Sequence, residues 1–164
     1  MVETARAIEM VLDKLVQDAL SQLDGIPTDD LNRWRPAQEL GDINTFFALA
    51  THLVGAGEFW ILHGAGGRPT ERDRSAEFVA EGDPAALRAR YDRWLGDVRE
   101  VLAELTEEDL ARVPDLDRGR SSGRSEGWTV ADCLLHAVEH TAVHVGHLQI
   151  QRQLWDAERG SDRG

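Results

Sequence analysis

His136, His140, His144 and His147 stand at i, i+4, i+8 and i+11 in the segment LLHAVEHTAVHVGHLQIQRQL, residues 134–154. On an α-helix these positions fall within an arc of ~80°, so all four imidazoles project from one face. Burying that many imidazoles in a small core is costly unless each has a partner. Neutral imidazole is the commonest metal ligand among side chains, and two histidines four apart on a helix can chelate one ion. A further histidine, His52, lies in a second strongly apolar segment. The pattern predicts a metal ion held between two helices by three histidines. A hydrogen-bonded histidine cluster and a proton-sensing face are the alternatives.

The rest of the chain is consistent with one helical domain. Its 164 residues suffice for a single full core. A net charge of −12 excludes the basic footprint that nucleic-acid binding needs and disfavours anionic membranes. No apolar run is expected to approach the ~20 residues of a membrane span. The N-terminal MVETARAIEM lacks the basic start and apolar block of a signal peptide, which implies a cytoplasmic protein. The single Cys133 excludes an intrachain disulfide and fits a reducing compartment. Lys14 is the only lysine beside abundant arginine, a composition of high-GC bacterial genomes.

Periodicity predicts four long helices. The first covers Glu3–Leu23 with a stripe of Ile8, Val11, Leu15, Ala19 and Leu23, ended by Asp24-Gly25. The second spans Asp42–Leu62 around His52, with Glu58 off the histidine's face as a solvated or intrahelically paired residue. Residues 64–82 are a long loop, read as a crossover that lets helices two and three run parallel. The third helix starts at Asp83-Pro84 and buries Leu87, Tyr91, Trp94, Leu95, Val98, Val101 and Leu102. Residues 115–127 are a polar loop whose Arg118, Arg120 and Arg124 suggest an anion cluster or, more simply, a solvated loop. The fourth helix opens at Trp128-Thr129 and carries the histidine stripe to about Ala157, leaving residues 158–164 as a disordered tail. The fold class is all-α, with residues 1–157 as one domain.

The histidine spacing also excludes chemistry. A zincin places Glu directly after the first His of its pair, where this chain has Thr141. Di-iron bundles need Glu-x-x-His pairs, which the sequence lacks. A mononuclear three-histidine site with open positions remains, suited to Zn²⁺, Ni²⁺, Mn²⁺ or Fe²⁺. Cys133 lies too far along its helix to share an ion with His144 and is read as packing.

The segments ALATHLVGAGEFWI and GWTVADCLLHAVEHTAVHVGHLQIQRQL, with WRPAQELGDINTF before the first of them, closely resemble the DinB–YfiT superfamily of bacterial four-helix proteins over essentially the whole chain. The resemblance implies a bundle in up-down-down-up order. It also implies a metal triad of one histidine from helix two and an H-x-x-x-H pair on helix four. Carried onto this sequence, the triad is His52, His140 and His144. His147 follows the second ligand of the pair, and His136 would be outside the ligand set. Relatives include mycothiol- and bacillithiol-dependent S-transferases and a mycothiol-dependent maleylpyruvate isomerase. The resemblance therefore implies a divalent ion (zinc first), a low-molecular-weight thiol cosubstrate, a small-molecule substrate, metal-bound thiolate or water as the reactive group, and a homodimer. The competing expectations are a metal hydrolase and a non-enzymatic bundle with a structural ion.

Overall fold

The computed structural model describes residues 1–36, 43–116 and 125–161, and among them every regular element is helical. Helix α1 covers Glu3–Ser21 and buries Ala5, Ile8, Leu12, Val16 and Ala19. The buried stripe is rotated from the expected one: Val11 is 44 % exposed, and Leu15 only packs against the core's edge. Leu12 and Val16 take the inside places expected of Val11 and Leu15, while Ile8, Ala19 and Leu23 are buried as expected. Gly25, at φ +73°, turns the chain where few other residues could. Pro27 then opens a short helix α2 over Thr28–Arg33.

Helix α3 begins at Phe46, not Asp42, because the Thr45 hydroxyl accepts from the Ala48 N–H and fixes the start there. Asp42 itself lies outside the described residues. The helix runs to Gly57 and continues as a π-helical segment, Glu58–Ala65, beyond the expected end at Leu62. Contrary to expectation, Phe46–Ala65 is long and apolar enough for a membrane span, but 83 % of its apolar window is buried inside the protein. It is the core helix, hydrophobic on all sides because it is surrounded on all sides. Tyr91 donates from its hydroxyl to the Ala50 carbonyl at 2.7 Å, and Trp34 stacks on Phe46 at 5.6 Å.

The expected crossover is partly structured. Asp73 accepts from the N–H groups of Ser75 and Ala76 and caps a short helix α4, Arg74–Glu77. The crossover's far end is pinned where Asn32 exchanges two hydrogen bonds with the Gly82 backbone, at 2.8 and 3.0 Å. Helix α5 covers Pro84–Glu104 with Asp83 as its cap, and all seven expected core residues are buried. A capping box between Thr106 and Asp109 starts α6, Glu107–Ala111.

Helix α7 covers Val130–Ser161 behind a reciprocal Thr129–Asp132 cap. It outlasts the expected end at Ala157 because its last turns are anchored. Trp34 donates to Glu158 at 3.1 Å, and Arg159 pairs with Asp30. Residues 162–164 of the expected tail lie outside the described residues, as do Arg118, Arg120 and Arg124 of the expected anion cluster. Helix α7 packs along α1, α3 and the π segment, while α5 closes the other side against α1, α3 and the π segment. Glu58 pairs with Arg90 of α5 at 2.6 and 3.0 Å, an interhelical bond where a solvated or intrahelical one was expected.

Candidate metal centre

His52 comes from the middle of α3, and His140 and His144 from successive turns of α7. Their rings meet at centroid distances of 5.1 Å (His52–His140), 5.0 Å (His52–His144) and 4.4 Å (His140–His144). One nitrogen from each lies within 4.8 Å of the others. Three imidazole nitrogens at that spacing match the donor set and scale of a mononuclear divalent site, which would tighten to nitrogen–metal distances of about 2.0–2.1 Å.

A fourth residue orients the triad. Glu77, from α4 in the crossover, places Oε2 2.7 Å from His52 Nδ1. A carboxylate can only accept, so Nδ1 carries the proton and His52 Nε2 keeps its lone pair. Arg72 grips the same carboxylate, Nε to Oε1 at 2.7 Å and Nη2 to Oε2 at 2.9 Å. Burial pushes the Glu77 carboxyl up, but bonds from Arg72 and His52 outweigh it and hold the group below its ordinary range. Arg72 Nη2 also approaches His52 Nδ1 at 3.5 Å, but both atoms carry protons and no bond forms there.

Gly55 makes the approach possible: a Cβ there would stand 2.3 Å from Glu77 Oε1. Phe78, next in the chain, stacks on the His52 ring at 4.7 Å. Sequence reasoning missed Glu77 because periodicity does not mark a carboxylate on a crossover. The available signal was a glycine one helical turn from a buried histidine, which marks a place where another chain segment comes close.

The other histidines fall outside the triad. His136 stands edge-on to Trp60 and Trp128, at 4.8 and 5.0 Å, with Glu139 3.1 Å from its Nδ1. His147 shares a proton with His144 through Nδ1···Nδ1 contact at 3.2 Å; with that proton on His144, its Nε2 is free to donate a lone pair. Thr141, at the zincin glutamate position, is buried and gives its hydroxyl to the Ala137 carbonyl at 2.7 Å. Cys133 is fully buried, and burial pushes its thiol up to about 11, which fits the packing role expected of it.

Burial, with neighbouring imidazoles, pushes His140 down to about 3 and His144 to about 4. Both are neutral near pH 7 and offer lone pairs without losing a proton first. The unfolded chain holds these protons more tightly, with pKa near 6.5. The associated stability is therefore present above pH 6.5 and lost as pH falls toward 4 and 3. In the metal-free protein the C2 protons of both imidazoles should titrate well below pH 5 by NMR; a midpoint near 6.5 for either would contradict this burial. Glu77→Gln should weaken metal retention about 10–100-fold, the usual cost of losing an outer-shell partner, with the fold retained. Competition with a chromogenic chelator measures it, and an unchanged affinity would remove Glu77 from the site.

Residues 11–148 match the model of the DinB superfamily, and the chain belongs to that superfamily. A conserved protein from Enterococcus faecalis, known from a crystal structure, has the same fold. The two superpose with a TM-score of 0.71 at 15 % identity, covering 94 % of this chain and 98 % of that one. No curated protein matches the chain significantly.

Proposed function

We infer that His52, His140 and His144 hold one divalent ion, zinc by preference, and that the chain is an S-transferase joining a low-molecular-weight thiol of the mycothiol type to a small electrophile. The observation that carries this reading is the convergence of three histidine nitrogens within 4.8 Å, among which the described residues place no fourth protein ligand. An open three-histidine site suits an exchangeable external ligand. When bound, a divalent ion there lowers the pKa of a thiol placed beside it. The chain's part is positional. Glu77 and Arg72 fix the His52 tautomer, and burial keeps His140 and His144 neutral.

Hydrolysis is the weaker reading, because among the described residues no nearby carboxylate is free to act as a base. Glu77 is spent on Arg72 and His52, and Glu139 faces His136. Elemental analysis of purified protein should give about one zinc per chain. A screen of mycothiol, bacillithiol, glutathione and coenzyme A against monochlorobimane should find metal-dependent conjugation with at least one thiol. One zinc per chain and no conjugation with any thiol would overturn the transferase reading and leave the ion in place.

The same reading includes a bundle in up-down-down-up order, cytoplasmic residence and no nucleic-acid or membrane partner. It also includes a homodimer, supported by Leu135 and Val143, which leave 60 % and 46 % of their surface exposed on α7. Light scattering at micromolar concentration should show the dimer, and a monomer alone would count against it.

A further inference from the structure

Beside the triad lies a cavity of about 330 Å³, which His144 and His147 line. Its walls are Ile43, Leu49, Ile150 and Leu154, with Asn44 and Gln151 as the polar points. Leu49 is one turn before His52 on α3, and Gln151 is two turns beyond His144 on α7. The cavity therefore follows the groove between the two helices for ~10 Å away from the triad. Gln151 is 4 % exposed and its amide donates to the Asn44 carbonyl at 2.9 Å, so this polar point is built into the wall.

Among the described residues, no arginine, lysine, aspartate or glutamate lines this cavity. An anionic group held in the part of the cavity away from the triad would shed water and meet no cation among the described lining residues. The contrast within the molecule is clear, because a second cavity of about 220 Å³ is lined by Arg33, Arg35 and Glu81. The 330 Å³ cavity has room for roughly ten waters at ~30 Å³ each, the lower end for a small-molecule site.

We propose that this cavity seats the apolar, uncharged body of the electrophilic substrate, with its reactive end directed toward His144. The proposal rests on the transferase reading but is tested without turnover. The probes are 4-phenylbutan-1-ol and 4-phenylbutanoate, alike in body and different in charge, titrated into the metal-free whole chain, where no ion can take up the carboxylate, with zinc uptake measured separately. Amide NMR shifts should move at Leu49, Ile150, Gln151 and Leu154, with the alcohol bound at least ~10-fold more tightly than the carboxylate. Leu154→Trp fills the cavity. Ile150→Asp places a charge in it from a position 59 % exposed, where folding tolerates it. Each should weaken the alcohol at least ~10-fold, while His140→Ala should leave its affinity within about threefold. Equal affinity for the two probes, shifts centred on Trp60 and Trp128, or parent-like alcohol binding by Leu154→Trp and Ile150→Asp would each overturn the proposal. Alcohol binding in a protein that never takes up zinc would refute the ion and leave the cavity standing; zinc uptake without alcohol binding would do the reverse.

Discussion

His140→Ala is expected to drop zinc retained after dialysis from roughly one equivalent to under ~0.1, because two histidines cannot hold an ion that three hold in an open site. Thiol conjugation should vanish with it. The fold should persist, since His140 lies among side chains that keep α7 packed without it. Cys133→Ser is the control. Its thiol is sealed in a small cluster with Phe59 and Leu116, so activity should stay near that of the parent. Full loss in Cys133→Ser with activity kept in His140→Ala would mean an enzyme-borne sulfur nucleophile and would sink the transferase reading.

The largest effect on stability is expected from Gly57→Ala. A Cβ at Gly57 would stand 2.1 Å from Trp94 Cζ2, and Trp94 is only 1 % exposed, so neither side can yield cheaply. Overpacking of this kind costs ~1–3 kcal/mol. In a chain of this size that lowers the melting temperature by roughly 3–9 °C. Trp94→Leu in the Gly57→Ala background should recover part of the loss, since it removes the clashing ring. The cycle is read by thermal denaturation of the four proteins. Strictly additive losses would show that the contact does not couple the two positions.

The helical class and most helix positions were legible because apolar residues recur at helical spacing and caps carry distinct chemistry. Asp83-Pro84 and Thr129-Asp132 start α5 and α7 where their sequence says they should. The four-histidine face of α7 was legible because a helix face is written in residue spacing, whereas the choice of His140 and His144 within it, with His52 from α3, came from the family resemblance. Three features were not. In the α1 stripe Val11 and Leu15 were misplaced, though Ile8, Ala19 and Leu23 are buried as expected, because Val11 and Leu12 are equally apolar and only tertiary packing decides between them. The end of α7 depends on Trp34 and Asp30, distant in sequence. Glu77 depends on a crossover folding back over a glycine, an encounter with no local pattern.

The triad joins α3 to α7 from opposite halves of the sequence, so an ion seated there is also a removable crosslink. Only the folded chain brings His52 to the α7 pair; the unfolded chain keeps at most the weaker two-histidine grip. Free energy of binding therefore becomes free energy of folding, about 2.7 kcal/mol when free ion stands at 100 times its dissociation constant. With such an ion bound, the supply of metal would tune how long the folded chain lasts.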